Sequence, residues 1–176
     1  MIDIGLTRKI DGMGRVVIPK ELRERFNIRE NDYLEFSLLE DGLIIKKHSK
    51  LGRVKEIAQE LTDILNSFLD AEVFIAECDK VLAYSGKYKD KYIDKDISST
   101  LSKSIRRRES LFEKYNKKFS IINNEIIDCS YINETIVVNY EDVGLICLYR
   151  TDRSVDDNDL KIVKIVSSFF TKYLEE

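Results

Sequence analysis

The chain has no tryptophan, one proline, one histidine and only seven glycines among its 176 residues. A single histidine, His48, offers no imidazole pair for a zinc site and no sensible spacing for a histidine-based triad. Placed directly after Lys46-Lys47, it reads as a solvated strand end. Cys78, Cys129 and Cys147 are odd in number and form no C-x-x-C, which excludes a disulfide framework and leaves reduced core thiols. No run of 18 apolar residues occurs, and the start already carries Asp3, Arg8, Lys9 and Asp11. Neither a membrane span nor a leader is therefore expected, and the cytoplasm is the expected location. Charge of one sign is missing too: 29 Lys+Arg against 32 Asp+Glu leave −3, so no global basic field advertises nucleic acid. Any such function must be local. Gly12-x-Gly14 lacks the third glycine and the long following helix of a phosphate loop, and no carboxylate pair sits in an apolar context. No enzyme, metal site or membrane role is expected. Signatures for cyclic nucleotide, haem or chromophore attachment are also missing, so no cofactor is expected.

What is present suffices for a folded core, with 43% hydrophobic and 10% aromatic residues. Leu6 to Ile10 and Arg15 to Ile18 read as strands around a glycine-assisted loop, and Pro19 fits the first turn of a short helix, Pro19 to Phe26. Tyr33 to Leu39 and Leu43 to Lys47 flank Asp41-Gly42, a strong hairpin signal. Residues 1–48 thus read β-β-α-β-β. So short a segment buries too little surface to fold alone, which makes an obligate dimer the expectation. Its shared core would hold Val16, Val17, Ile18, Leu22, Phe26, Leu34, Phe36, Ile44 and Ile45. From Leu51 the period changes: Leu51, Val54, Ala58, Leu61, Leu65 and Phe68 form a short heptad seam. A helix paired with its copy and a helix packed on its own domain satisfy that spacing equally, and Ile57 and Ile64 broaden the stripe.

Strands are expected at 72–76 and 81–84, around Cys78-Asp79-Lys80. A helical face of Ile93, Ile97, Leu101 and Ile105 then ends in Arg106-Arg107-Arg108, where cations complement the dipole. Strands follow at 119–122, 132–140 and 143–149, with Glu141-Asp142 turning between the last two. A final helix is capped by Ser154 and turns Ile162, Val163, Val166, Phe169, Phe170 and Tyr173 inward. The fold class is α+β. Tyr84, Tyr88, Tyr92, Tyr131 and Tyr140 serve a pocket or ordinary packing equally well, so no ligand residue is assigned.

The informative cluster lies in residues 7–25, with six cations (Arg8, Lys9, Arg15, Lys20, Arg23, Arg25) against Asp11, Glu21 and Glu24. A solvated surface explains such composition. So does double-stranded DNA, which rewards clustered cations through counterion release and lets arginine address guanine bidentately. The ordered run G-x-x-R-K-I-D-x-x-G-R-V-V-I-P-K-E-L-R from Gly5, with the later Ile44-Ile45-Lys46-Lys47, resembles the N-terminal domain of AbrB-type transition-state regulators. That resemblance implies a swapped-hairpin homodimer whose strands interleave, and DNA binding by Arg8, Arg15 and Arg23. Glu24 stands where the family often has a second arginine, with Arg25 displaced by one. Lys89-Asp-Lys-Tyr-Ile-Asp-Lys-Asp-Ile-Ser98 and the chain length are similar to the stage V sporulation protein T (SpoVT) type, in which an AbrB-like domain precedes a GAF sensor domain.

Three segments are expected: 1–50 AbrB-like, 51–70 a connecting helix, and 71–176 GAF-like. The implied protein is a regulator of sporulation genes that binds double-stranded DNA and pairs with itself. It has room for a tetramer through the helix and the GAF-like domain, and for an unidentified small-molecule ligand. Two rivals stand beside it: an antitoxin using the same DNA-binding domain, and a ligand-binding or scaffold protein whose first module only dimerises.

Overall fold

The computed structural model describes residues 5–26, 28–30 and 32–175, and the chain divides between His48 and Ser49 into two units. In the first, residues 6–10 and 15–18 form no helix and join no ladder among the described residues. The expected first strand pair is therefore not formed within one chain. Helix α1, Lys20–Arg25, is one residue shorter at each end than the sequence suggests, and Pro19 stands before it with φ −53° and ψ 145°. Its carbonyl accepts from Leu22 and Arg23 N–H, which opens the helix although proline has no side-chain cap to offer. The hairpin β1, Leu34–Leu39, and β2, Gly42–Lys47, closes through Glu40-Asp41, because Leu39 pairs with Gly42. The turn sits one residue earlier than Asp41-Gly42 and uses no positive φ. His48 is half-buried rather than solvated, its Nδ1 lying 3.4 Å from a Glu35 oxygen.

The second unit is a three-layer domain. A five-stranded antiparallel sheet has the order β4-β3-β7-β6-β5, from β3 Glu72–Glu77, β4 Val81–Ser85, β5 Leu111–Phe119, β6 Ile127–Val138 and β7 Glu141–Arg150. The period of two in β7 sorts its residues between two cores. Ile146 and Leu148 face one layer with Val73 and Ile75, while Leu145, Cys147 and Tyr149 face the other with Phe74 and Ala76. Being central and covered on both faces, β7 reads as a continuous apolar run. On the first face lie α2, Lys55–Leu69, through Ala58 and Leu65, and α5, Asp157–Glu175, through Val163, Val166 and Phe170. Burying a side chain such as Phe170 contributes about 1.5–3 kcal/mol. Gly144 is required by close approach: an added Cβ would lie 2.2 Å from the Ala76 carbonyl oxygen and 2.6 Å from Leu51.

The other face is covered by α3, Lys89–Tyr92, and α4, Ser99–Arg106. The face expected to run unbroken from Ile93 to Ile105 is interrupted, since Asp94 takes φ 59° and Ile97 bridges Ile122. Ser98 restarts the helix by accepting from Leu101 N–H. Edge strand β5 also departs from expectation, lying at 111–119 rather than 119–122. Its run Glu113 to Lys118 is charged and exposed beyond Glu113, which protects an edge but hides the strand from a hydrophobicity pattern. The β6–β7 turn is Asn139-Tyr140, with φ of 51° and 65°, the two positive values that a two-residue hairpin prefers. Asp156, not Ser154, caps α5 by accepting from Asn158 and Asp159 N–H. Phe169 and Tyr173, expected inside, stay substantially exposed, at 39% and 44%.

Cys129 and Cys147 are buried; burial pushes the Cys129 thiol up to about 12 and raises Cys147 as well. Neither is a nucleophile at neutral pH. Cys78 is half-buried and donates to the Asp142 carbonyl. Of the tyrosines, Tyr84 and Tyr92 are core, while Tyr140 is 91% exposed. Tyr84 donates to Glu72, so the 2.6 Å contact between Tyr84 and Tyr149 has Tyr149 donating.

Candidate nucleic-acid interface

All six cations of the N-terminal cluster are exposed, and the backbone between them is organised by one carboxylate. The Asp11 N–H donates to the Arg15 carbonyl and Gly14 N–H donates to the Asp11 carbonyl, both at 3.0 Å, closing a tight loop over Gly12-Met13-Gly14. Gly14 takes φ 78°, a conformation glycine adopts without a Cβ penalty. The Asp11 carboxylate then accepts from Met13 N–H and Arg15 N–H at 2.9 Å and from Arg15 Nε at 2.8 Å.

This geometry sets the electrostatics of the loop. The Arg15 backbone N–H first, and then its guanidinium, hold the Asp11 carboxyl below its usual 3.8. The Asp11 contacts are thus complete at neutral pH, and they are lost only as pH falls below about 4, through the lowered folded value. Arg15 stays 72% exposed in its side chain. Its Nε is spent on Asp11, but no hydrogen bond among the described residues engages Nη1 or Nη2. Those two donors form the fork that a guanine edge or a phosphate accepts bidentately.

The other cations are placed less firmly. Arg8 Nη1 donates to the neighbouring Thr7 carbonyl, and Lys9 is exposed. Lys20 lies 3.5 Å from Glu24 across one helical turn, so the glutamate neutralises part of the helix's charge. Arg23 and Arg25 occupy the last turn of α1, and the Arg25 guanidinium lies 5.8 Å from the Phe26 ring centre. Asp11 is the loop-closing residue that composition does not reveal. Its signal is the spacing Asp11-Gly-x-Gly-Arg15, in which a carboxylate four residues before an arginine closes a loop.

Among the described residues no group of three or more His, Cys, Asp or Glu is placed to hold a metal ion, and no helix is long and apolar enough to cross a membrane.

Comparison with known proteins divides the chain between residues 52 and 53, four residues after the break between its two units. Residues 7–52 match the family described as antidote-toxin recognition MazE, bacterial antitoxin, and residues 53–175 match stage V sporulation protein T C-terminal, transcription factor. The chain is 34% identical over 174 residues to stage V sporulation protein T of Bacillus subtilis (strain 168), covering 98% of each. It is 40% identical over 63 residues to the transition state regulatory protein AbrB of the same organism, covering 36% of this chain and 65% of that one. Among solved structures, the GAF domain region of a membrane protein from Geobacter sulfurreducens superposes with TM-score 0.55 at 14% identity, covering 72% of this chain and 95% of that one. The A. aeolicus nlh2 GAF domain gives 0.54 at 17%, covering 69% and 84%. An AbrB-like first domain and a second domain of GAF fold place the chain in the stage V sporulation protein T family of transcription factors.

Proposed function

We propose that the protein regulates transcription as a homo-oligomer whose residues 1–50 grip double-stranded DNA in the cytoplasm. Arg8 and Arg15 address base edges, while Lys9, Lys20, Arg23 and Arg25 hold phosphates. The observation that carries this reading is the Asp11-closed loop, which fixes Arg15 at its backbone and Nε while leaving both terminal nitrogens open. Dimerisation is supported by the first unit's lack of a core: among its described residues only Pro19 is buried, while Val17, Phe26 and Phe36 are 74%, 59% and 61% exposed. Titration of a labelled duplex at increasing salt tests the reading. Log Kobs should fall linearly with log salt, and Lys20→Ala should reduce the slope by roughly 0.9 for each phosphate no longer neutralised. A flat salt dependence would remove DNA as the partner.

The helix after residue 50 is proposed to carry the higher assembly. Its apolar stripe divides in two: the seam residue Leu65 is 8% exposed and belongs to the second unit's core, whereas the seam residue Phe68 and the flanking Ile64 are 83% and 50% exposed. An aspartate at Leu65 would unfold the domain and report nothing about assembly. Ile64→Asp with Phe68→Asp should instead lower the mass seen by light scattering from tetramer to dimer with the fold intact. An unchanged mass would place the assembly contact elsewhere.

A further inference from the structure

The loop that positions Arg15 also presents an apolar side chain, Met13, between Gly12 and Gly14. At 78% it is the most exposed of the large apolar side chains in residues 5–26. A turn left in water is usually built from Gly, Asn, Asp or Ser. A lone exposed apolar residue means nothing by itself, and what sets Met13 apart is how it is held. Asp11 Oδ1 accepts from both Met13 N–H and Arg15 N–H at 2.9 Å, while Oδ2 accepts from Arg15 Nε at 2.8 Å. One carboxylate thus fixes the backbone of Met13 and the backbone and Nε of Arg15 in a single frame. An added Cβ at Gly12 or Gly14 would meet nothing within 4 Å, so both flanks of the tip stand in open space.

Whatever covers Met13 therefore meets Arg15 as well. An apolar core supplied by a second copy would have to enclose a guanidinium whose Nη1 and Nη2 have no hydrogen-bond partner among the described residues, and a buried charge without a partner is strongly unfavourable. A duplex groove has no such conflict. Addressing O6 and N7 of guanine places Arg15 in the major groove, where the apolar feature of a base pair is the C5-methyl of thymine. The Cα atoms of residues 13 and 15 are at most about 7 Å apart, because a residue spans at most about 3.6 Å. That distance corresponds to roughly two base-pair steps of about 3.4 Å. Methionine suits such a contact, since its unbranched, polarizable side chain adapts to an irregular surface.

We propose that Met13 reads sequence by packing on a thymine C5-methyl in the major groove, within about three base pairs of the guanine held by Arg15. The inference rests on DNA binding by residues 1–50 and adds an apolar, thymine-reading contact to it. Because the contact neutralises no phosphate, it leaves the salt dependence of binding unchanged.

The test uses the full-length protein and a duplex that it enriches from a random-sequence pool, synthesised once with thymine and once with deoxyuridine, which lacks the C5-methyl. Wild type should bind the deoxyuridine duplex roughly tenfold more weakly, two methyl contacts being lost in a dimer. Met13→Ala should lose a similar factor on the thymine duplex with the same salt slope, and should be indifferent to the replacement to within about twofold. Met13→Leu, with a side chain of similar volume, should keep most of the preference for thymine. The dimer mass and melting midpoint of Met13→Ala should equal those of the wild type. Wild type indifferent to the replacement would overturn the proposal. So would equal losses in wild type and Met13→Ala, which mark an effect of DNA shape. A Met13→Ala protein that loses dimer mass or does not fold would overturn it too, by assigning Met13 to the shared core. Wild type that binds duplex but enriches no sequence would overturn the thymine contact and leave phosphate binding standing, whereas wild type that binds no duplex would sink the regulator reading itself.

Discussion

Arg8→Ala and Arg15→Ala should each cost about 2–6 kcal/mol of operator affinity, because a bidentate arginine–base pair carries about 1–3 kcal/mol and a dimer loses two of them. Affinity for random duplex should fall much less, so that the preference for the operator collapses. Arg15 is expected to show the larger effect, since its backbone N–H and Nε are both held by Asp11 and little ordering remains to be done on binding. Arg8, tied only to its neighbour's carbonyl, loses more entropy in reaching a base. Competition binding at fixed salt separates the outcomes: a uniform loss on all sequences would mark an arginine as a phosphate contact. Unchanged affinity in both variants, with dimerisation intact, would take the interface away from this loop.

Asp159→Ala should destabilise the second unit by about 3–5 kcal/mol, the cost of leaving a buried charge without its partner. Arg150 and Asp159 form a buried ion pair, at 6% and 3% exposure, with a second contact at 3.1 Å. Arg150 Nη2 also donates to the Leu69 carbonyl at 2.7 Å, joining the end of α2 to the sheet, while Asp159 accepts from Asp156 N–H at the start of α5. One pair therefore fastens both helices of that face. Arg150→Met with Asp159→Leu should recover most of the loss, because the desolvation of both charges disappears with the pair. Urea unfolding of the two variants measures this. Equal stability of Asp159→Ala and wild type would show that the pair fastens nothing.

The parts legible in the sequence were those governed by a single period or a local motif. The apolar run of β7 and the stripe on α5 through Val163, Val166 and Phe170 follow from spacing, and the hairpin around residues 40–42 from the Asp41-Gly42 motif. Strand β5 was hidden because Glu113-Lys114-Tyr115-Asn116-Lys117-Lys118 is an edge, and edges are selected for charge rather than alternation. The helix read from Ile93 to Ile105 failed because its spacing of four is shared by two helices and a bridge, and only a tertiary contact, Ile97 to Ile122, distinguishes them. The burial of Asn133 is illegible for a related reason. Asn133 looks like an ordinary polar break in Ile132-Asn133-Glu134 until register places it on the same face as Cys129 and Tyr131. The basic cluster was visible as composition, but the part of Asp11 depends on loop closure, which composition does not encode.

Paired N-terminal loops that read duplex sequence through Arg8 and Arg15 are the centre of the proposed function. Selection of bound duplexes from a random-sequence pool by the full-length protein tests them most directly. The prediction is an enriched motif with two-fold related halves, which disappears when the same selection is run with the Arg8→Ala, Arg15→Ala protein. Recovery of unenriched sequence by the wild type, or of the same motif by both proteins, would contradict it.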